Sequence, residues 1–497
     1  MTYLSHHLPA LQVIVPMLTA PLVLLLKPDG LARLATTAAS ALAFAIAIAM
    51  TMGVLDGHTY TYRMGGWPAP YGIELAVDQF SALLLLVVTG ASTFALLAGQ
   101  RSVDADIDSS RQPLFYAAWL LALAGLSGIP ISADAFNIFV FMEISSLASY
   151  VIIAGGPDRR ALPAVFKYLI MGTVGATFYL IGIGLIYLMT GTLNMADMEL
   201  RIHEVGDQKP ILVAAGFITV GLALKAAVFP LHVWLPNAYT YAPNTVTVFL
   251  AACSTKVSLY LLMRFDFFVF QGNLAGHDMQ FAAFLMPLAV LAILVGSAVA
   301  LFEKNIKRLL AYSSIAQIGY IVLGVSFVTI AGLTASAVHI FNHALAKGAL
   351  FLTVCCFATQ CTGLRLTDLG GIARRMPWTA GALVVSGFSL LGIPGTAGFI
   401  SKWYLIVAAF EQGPLGMALI AVIVVSSLMA VVYIWRIVEA IYFGESTIDL
   451  SAVREAPAAM LIVTWIAALA NIYFGVVPEI PVSLSISAAD TLLEHLP

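Results

Sequence analysis

The chain has 497 residues, of which 61% are hydrophobic and 10% charged, with a mean hydropathy of +0.96. Soluble domains carry roughly 25% charged residues, so this composition excludes a soluble globular protein and points to a polytopic, all-α integral membrane protein. A net charge of −3 gives no basis for a nucleic-acid partner.

Windows of about 20 apolar residues predict about 14 transmembrane helices, at 8–26, 31–55, 75–97, 114–131, 136–154, 163–189, 211–229, 245–263, 281–302, 309–328, 333–358, 379–403, 417–442 and 457–477. The first has no basic residue before it and carries Pro16 and Pro21, so it reads as a span and not as a cleavable signal peptide. The tail 478–497 alternates apolar and acidic residues and is expected at the membrane interface. No hydrophilic stretch is long enough for a soluble domain. The four cysteines, Cys253, Cys355, Cys356 and Cys361, lie in or beside apolar helices without metal or redox spacing, and read as packed thiols. There is neither a Gly-rich phosphate loop nor an iron–sulfur cysteine pattern, so no cofactor and no metal site are expected.

Basic residues set the orientation. Loops after odd-numbered spans hold Lys27 and Arg33, Arg101 and Arg111, Arg159 and Arg160, Lys304, Lys307 and Arg308, Arg365, Arg374 and Arg375, and Arg436 and Arg454. Loops after even-numbered spans hold only Arg63, Arg201, Lys209 and Arg264. Odd loops are therefore expected in the cytoplasm and both termini outside. Glu303, Lys304, Lys307 and Arg308 read as a positive-inside anchor; Asp78 and Asp134 are expected near the outer face, as solvated carboxylates in preference to the alternative of a cation entry.

Few charges remain inside the spans: Glu143, Lys225, Lys256, Lys347 and Lys402, with Lys167 near the start of the sixth. A charge at a helix centre costs at least ~2.5 kcal/mol on insertion scales, so each is a functional candidate. Glu143 reads either as a hydrogen-bonded structural carboxylate or as an ion-handling group, and the intramembrane lysines favour the second, with Lys225 as its candidate partner. Lys225 precedes a break at Pro230, and Lys256 sits on the following apolar segment, well inside it. Lys256 is a candidate proton carrier, the alternative being a side chain that snorkels to the interface. His339, His343 and Lys347 recur every four residues on one helix face. They suit a proton relay; the alternatives are three unrelated packing residues, or a metal site that no carboxylate on that face completes.

A second break lies in LLGIPGTAGFISKWYL, where Gly392, Pro394, Gly395 and Gly398 precede Lys402. Two Pro/Gly-interrupted helices in two halves mark a transporter built from repeats. The expected organisation is 1–112 as three N-terminal helices, 113–265 as a first five-helix repeat, 281–443 as a second, inverted one, and 456–497 as the last helix and tail.

KAAVFPLHVWLPNAY, KVSLYLLMR, NIKRLLAYSSIAQIGY, HALAKGALF and GIPGTAGFISKW resemble the antiporter-like subunit family shared by respiratory complex I, membrane-bound hydrogenases and Mrp-type cation/proton antiporters. That resemblance implies a charge pair of Glu143 and Lys225, a central connecting Lys256, a central-axis His343 and a terminal Lys402. It also implies a multisubunit complex in a bacterial plasma membrane that handles protons and Na⁺. HLPALQVIVPMLTAPLVLLL and GGWPAPYGIELAVDQFSALLLL resemble the D-type subunits of Mrp antiporters, as do a lysine at 402 and a short tail that leaves no room for a long lateral helix. A proton-pumping subunit of a redox enzyme is the alternative. Gln317 stands where some complex I members carry a histidine, and reads as a second-rank polar residue.

Overall fold

In a computed structural model the described residues are 3–26, 29–206, 208–270, 277–361 and 363–493. Lys27, one of the loop bases used for orientation, and the end of the tail lie outside them. Backbone groups in hydrocarbon must be satisfied within the chain, which selects helices. Twelve described helices are long and apolar enough to cross a membrane.

α1 (Leu8–Leu25) and α2 (Asp29–Leu55) lead to a hairpin of β1 (Tyr60–Arg63) and β2 (Glu74–Val77), paired Tyr60↔Val77 through Arg63↔Glu74. This hairpin is a small addition to a helical membrane fold and corrects the third span, whose predicted start at 75 falls in β2. Glu74–Val77 alternates half-buried and buried side chains, the period of a strand. Asp78 then begins α3 (Gln79–Ala98) as its N-cap, accepting from the Ser81 amide at 2.9 Å.

α4 (Gln112–Ile131) and α5 (Ala135–Ala154) follow, α5 capped by Asp134, which accepts from the Asn137 amide at 2.6 Å. Asp78 and Asp134 are thus helix caps and not solvated carboxylates. α6 (Ala161–Thr190) packs along α7 (Lys209–Lys225), with the chain closely approached at Gly175 and Gly221. Instead of continuing to residue 229, α7 stops at Lys225, and turns lead to α8 (Leu235–Tyr241). The break is satisfied from inside: the Leu224 carbonyl accepts from Trp234 Nε1 at 3.0 Å and from the Ala227 amide at 3.2 Å, while the Trp234 ring stacks on Tyr168 at 4.1 Å.

α9 (Asn244–Met263) runs on into a wider turn, Arg264–Val269. α10 (His277–Phe302), α11 (Ile306–Val325) and α12 (Ile330–Ala358) follow, with Asn305 and Thr329 capping α11 and α12. The second break separates α13 (Pro377–Leu391) from α14 (Ala397–Phe410); α13 ends at Gly392, φ 83°, a left-handed position that favours glycine. α15 (Pro414–Phe443), α16 (Ala458–Val476) and α17 (Glu479–Leu493) complete the chain. α17 buries Leu484, Ala488 and Leu492 in packing against α12 and α3, so that face of the tail belongs to the bundle.

The interior is built from α4, α9, α11 and α12, whereas α1 and α15 expose leucines such as Leu18, Leu22 and Leu428, as lipid-facing helices do. Two of the four central helices, α9 and α12, carry intramembrane charge, at Lys256 and Lys347.

Candidate functional site

The site begins at the first break. Lys225 lies in the last turn of α7, where carbonyls lack intrahelical donors and the helix dipole favours a cation. Its Nζ donates to Ser146 Oγ at 2.8 Å and lies 3.4 Å from Glu143 Oε1. Glu143 and Ser146 are three residues apart on α5, so one face of that helix offers both partners. Lys225 is buried, but Glu143 keeps 28% of its side-chain exposure at mid-helix depth. A cavity of about 20 Å³ beside Lys225 is lined by Ser145, Ser146 and Ser149 of α5 and Ser254 and Ser258 of α9. That is room for one water molecule with several polar partners, between Lys225 and the helix that carries Lys256.

Lys256 is fully enclosed, and its Nζ donates to the Ala251 carbonyl at 2.5 Å, towards the N-terminal end of α9. α9 packs against α12, which carries His339, His343 and Lys347. The His339 and His343 rings lie nearly parallel, with centroids 6.0 Å apart. His339 is held at both nitrogens, Nδ1 to Ser401 Oγ at 2.8 Å and Nε2 to Gln317 Oε1 at 3.0 Å. Neither ring nitrogen of buried His343 has a partner among the described residues. Lys347 donates to the Leu310 carbonyl at 2.8 Å and to Ser313 Oγ, both on α11.

The second break closes the sequence of sites. Lys402 Nζ donates to the carbonyls of Leu390 and Leu391 at 3.3 and 2.8 Å, and to Ser427 Oγ at 3.1 Å. A cation thus satisfies the open C-terminal end of α13, as Lys225 sits at that of α7. Lys402 follows Ser401, the partner of His339 Nδ1, and its Nζ lies 5.3 Å from the Tyr320 ring centre.

The family described as NADH:quinone oxidoreductase/Mrp antiporter, transmembrane, matches residues 132–430, more than half of the 497. The chain belongs to that family. It is 38% identical to the N-type NADH-quinone oxidoreductase subunit of Desulforudis audaxviator, over 96% of this chain and 97% of that one. It is 31% identical to the D-type Na(+)/H(+) antiporter subunit of Bacillus subtilis, over 97% of this chain and 96% of that one. A chain of the Mrp complex from Dietzia superposes with a TM-score of 0.90 at 27% identity, covering 100% of this chain and 98% of that one.

The matched region of this antiporter-family chain runs from the start of α5 into α15, and so contains both breaks and all seven ionisable groups singled out in the sequence. Pro230 lies in the first break and Pro394 in the second. Lys167 stands apart, exposed on α6. Two loop bases are in fact buried. Lys307 donates to the Ala242 carbonyl at 2.7 Å and is no surface anchor, and Arg264 is paired with Asp78. Composition hid them, because each sits only a few residues from an apolar run. Gln317 is a direct partner of His339, closer to the site than its sequence reading. Ser146, Ser401 and Ser427 escaped the sequence reading; the signal available was their spacing from Glu143 and Lys402.

Proposed function

We propose that this chain is the proton-conducting, D-type membrane subunit of a multisubunit Na⁺/H⁺ antiporter in a bacterial plasma membrane. It is a transporter subunit, with the basic loops in the cytoplasm and both termini outside. What supports the reading is the burial of Lys225, Lys256, His339, His343, Lys347 and Lys402 inside the bundle, in a chain 31% identical to the D-type antiporter subunit of Bacillus subtilis. We also read 113–265 and 281–443 as two inverted units, each with one broken helix.

In this scheme protons use Glu143 and Lys225, pass Lys256, continue along His343, Lys347 and His339, and reach Lys402. Two unit charges about 10 Å apart at an effective dielectric of 20 interact by roughly 1.7 kcal/mol, more than a tenfold change in proton affinity. Protonation at one group therefore sets the occupancy of the next, and the groups titrate as a coupled chain. Lys225 and Lys402 add a conformational element, since each ammonium sits at the carbonyl end of a half-helix. Glu143 supports the need for other membrane subunits: a carboxylate open to lipid at this depth costs at least ~2.5 kcal/mol, and a neighbouring subunit removes that contact.

Lys225→Ala or Glu143→Ala, measured as cation-driven proton movement in vesicles holding the assembled complex, should lower antiport at least tenfold. Wild-type antiport in both variants would sink the relay. The 38% identity to an N-type NADH-quinone oxidoreductase subunit favours a second reading, in which the same path serves a redox-driven pump. Co-purified subunits separate the two: iron–sulfur and flavin or nickel partners favour the redox complex.

A further inference from the structure

The proton path from Lys225 to Lys402 does not use the second half of α9. Lys256, Tyr260 and Arg264 follow at four-residue spacing, on one face of the helix with about 6 Å of rise between neighbours. Tyr260 stands one turn after Lys256, and its ring packs on Phe80 with centroids 4.6 Å apart. Tyr260 Oη accepts from Arg264 Nε at 3.0 Å, donates to the Pro130 carbonyl at 3.0 Å and lies 3.1 Å from Ser81 Oγ. Arg264 Nη2 contacts the Asp78 carboxylate. Asp78 keeps 24% of its exposure beside the β-hairpin, whereas Arg264 is buried. A continuous series of polar atoms therefore runs from a part-exposed carboxylate to a hydroxyl one turn from Lys256.

Helix capping accounts for Asp78 but not for the arginine. Ion pairs this buried add little stability over an apolar replacement, so stability does not account for it either. A guanidinium never gives up its proton in a protein, and a fixed positive charge in a narrow passage excludes protons and cations. Lys256 meanwhile is turned the other way, onto the Ala251 carbonyl. Arg264 pairs with Asp78, donates to Tyr260 Oη and lies over the rings of Tyr260 and Phe80 at 5.2 and 5.9 Å.

We propose that the Asp78–Arg264 pair is the closed gate of a second access route to Lys256, opening at the hairpin end of the bundle. Arg264 is the fixed charge that bars protons while the pair is joined; Ser81 and Tyr260 are the hydroxyls that pass them once it parts. The inference rests on the proposed role of Lys256 as a proton carrier.

The test uses the whole complex in liposomes with an imposed pH gradient and no counter-cation. Arg264→Gln should speed decay of the gradient several-fold, Arg264→Lys should keep it at the wild-type rate, and adding Lys256→Ala to Arg264→Gln should restore that rate. An assembled Arg264→Gln complex that holds the gradient, or a leak that survives Lys256→Ala, overturns the gate. Should Arg264→Gln fail to assemble, Ser81→Cys with a membrane-impermeant thiol reagent on the hairpin side decides. Labelling that rises during turnover supports the gate, and equal protection at rest and in turnover overturns it. Wild-type antiport in Lys256→Ala alone would instead sink the proposed function.

Discussion

His339 and His343 sit one turn apart in equal burial, yet their surroundings differ in a way that makes opposite demands on stability. His339 is fixed at both nitrogens by Gln317 and Ser401. Replacing it with leucine strands the buried Gln317 amide, at about 1–3 kcal/mol, and leaves Ser401 only its bond to the Gly398 carbonyl. His343 has no partner among the described residues, so its own desolvation is uncompensated. His343→Leu should therefore leave the melting temperature of the complex unchanged or raised, while antiport falls at least tenfold. His339→Leu should lower both. Thermal unfolding beside vesicle antiport checks the contrast, and a destabilised His343→Leu would count against it. The same contrast separates a relay from mere packing, because only a relay loses transport without losing stability.

The two interrupted helices are held by different devices that serve one end. At the first, Trp234 closes the Leu224 carbonyl, and Ala227 takes a left-handed φ of 57° that a residue with a Cβ adopts only at a cost. At the second, Gly392 supplies the left-handed turn and Lys402 satisfies the freed carbonyls. A Cβ at Gly392 would meet Lys402 Cδ at 2.9 Å. Gly392→Ala thus adds backbone strain of roughly 1–2 kcal/mol and displaces the ammonium from its carbonyls. It should reduce antiport more than it reduces the yield of assembled complex. Packing of α6 on α7 carries a parallel expectation. A Cβ at Gly221 would lie 2.5 Å from the Gly175 carbonyl, and Gly221 is one turn before Lys225. Gly221→Leu should part the helices, draw Lys225 from Glu143 and abolish transport. Full antiport in this variant would show that the pair tolerates separation.

At the scale of the whole molecule, the charged groups are enclosed by this chain except at Glu143. Phe136, Val140, Leu147 and Val151 are exposed along the same face of α5, so the carboxylate lies within an apolar stripe at membrane depth. Leu147→Cys should cross-link to another membrane subunit of the assembled complex; modification only by lipid-soluble reagents would place lipid there instead.

The sequence by itself determined the membrane-embedded helical class, both helix breaks and the short inventory of costly charges. Each of these is written in local composition: apolar runs of spanning length, Pro and Gly within them, and Lys, His or Glu where hydrocarbon penalises them. Tertiary structure decided the rest, because partnership is a long-range property. It joined Lys225 to a glutamate 82 residues away and gave His339 its partners on α11 and α14. It turned Asp78 and Arg264, read as a solvated carboxylate and a loop base, into one ion pair, since residues 186 positions apart meet only once α3 and α9 pack. It also drew β2 out of the start of an expected span, where four alternating residues are too short a signal to compete with the apolar run that follows.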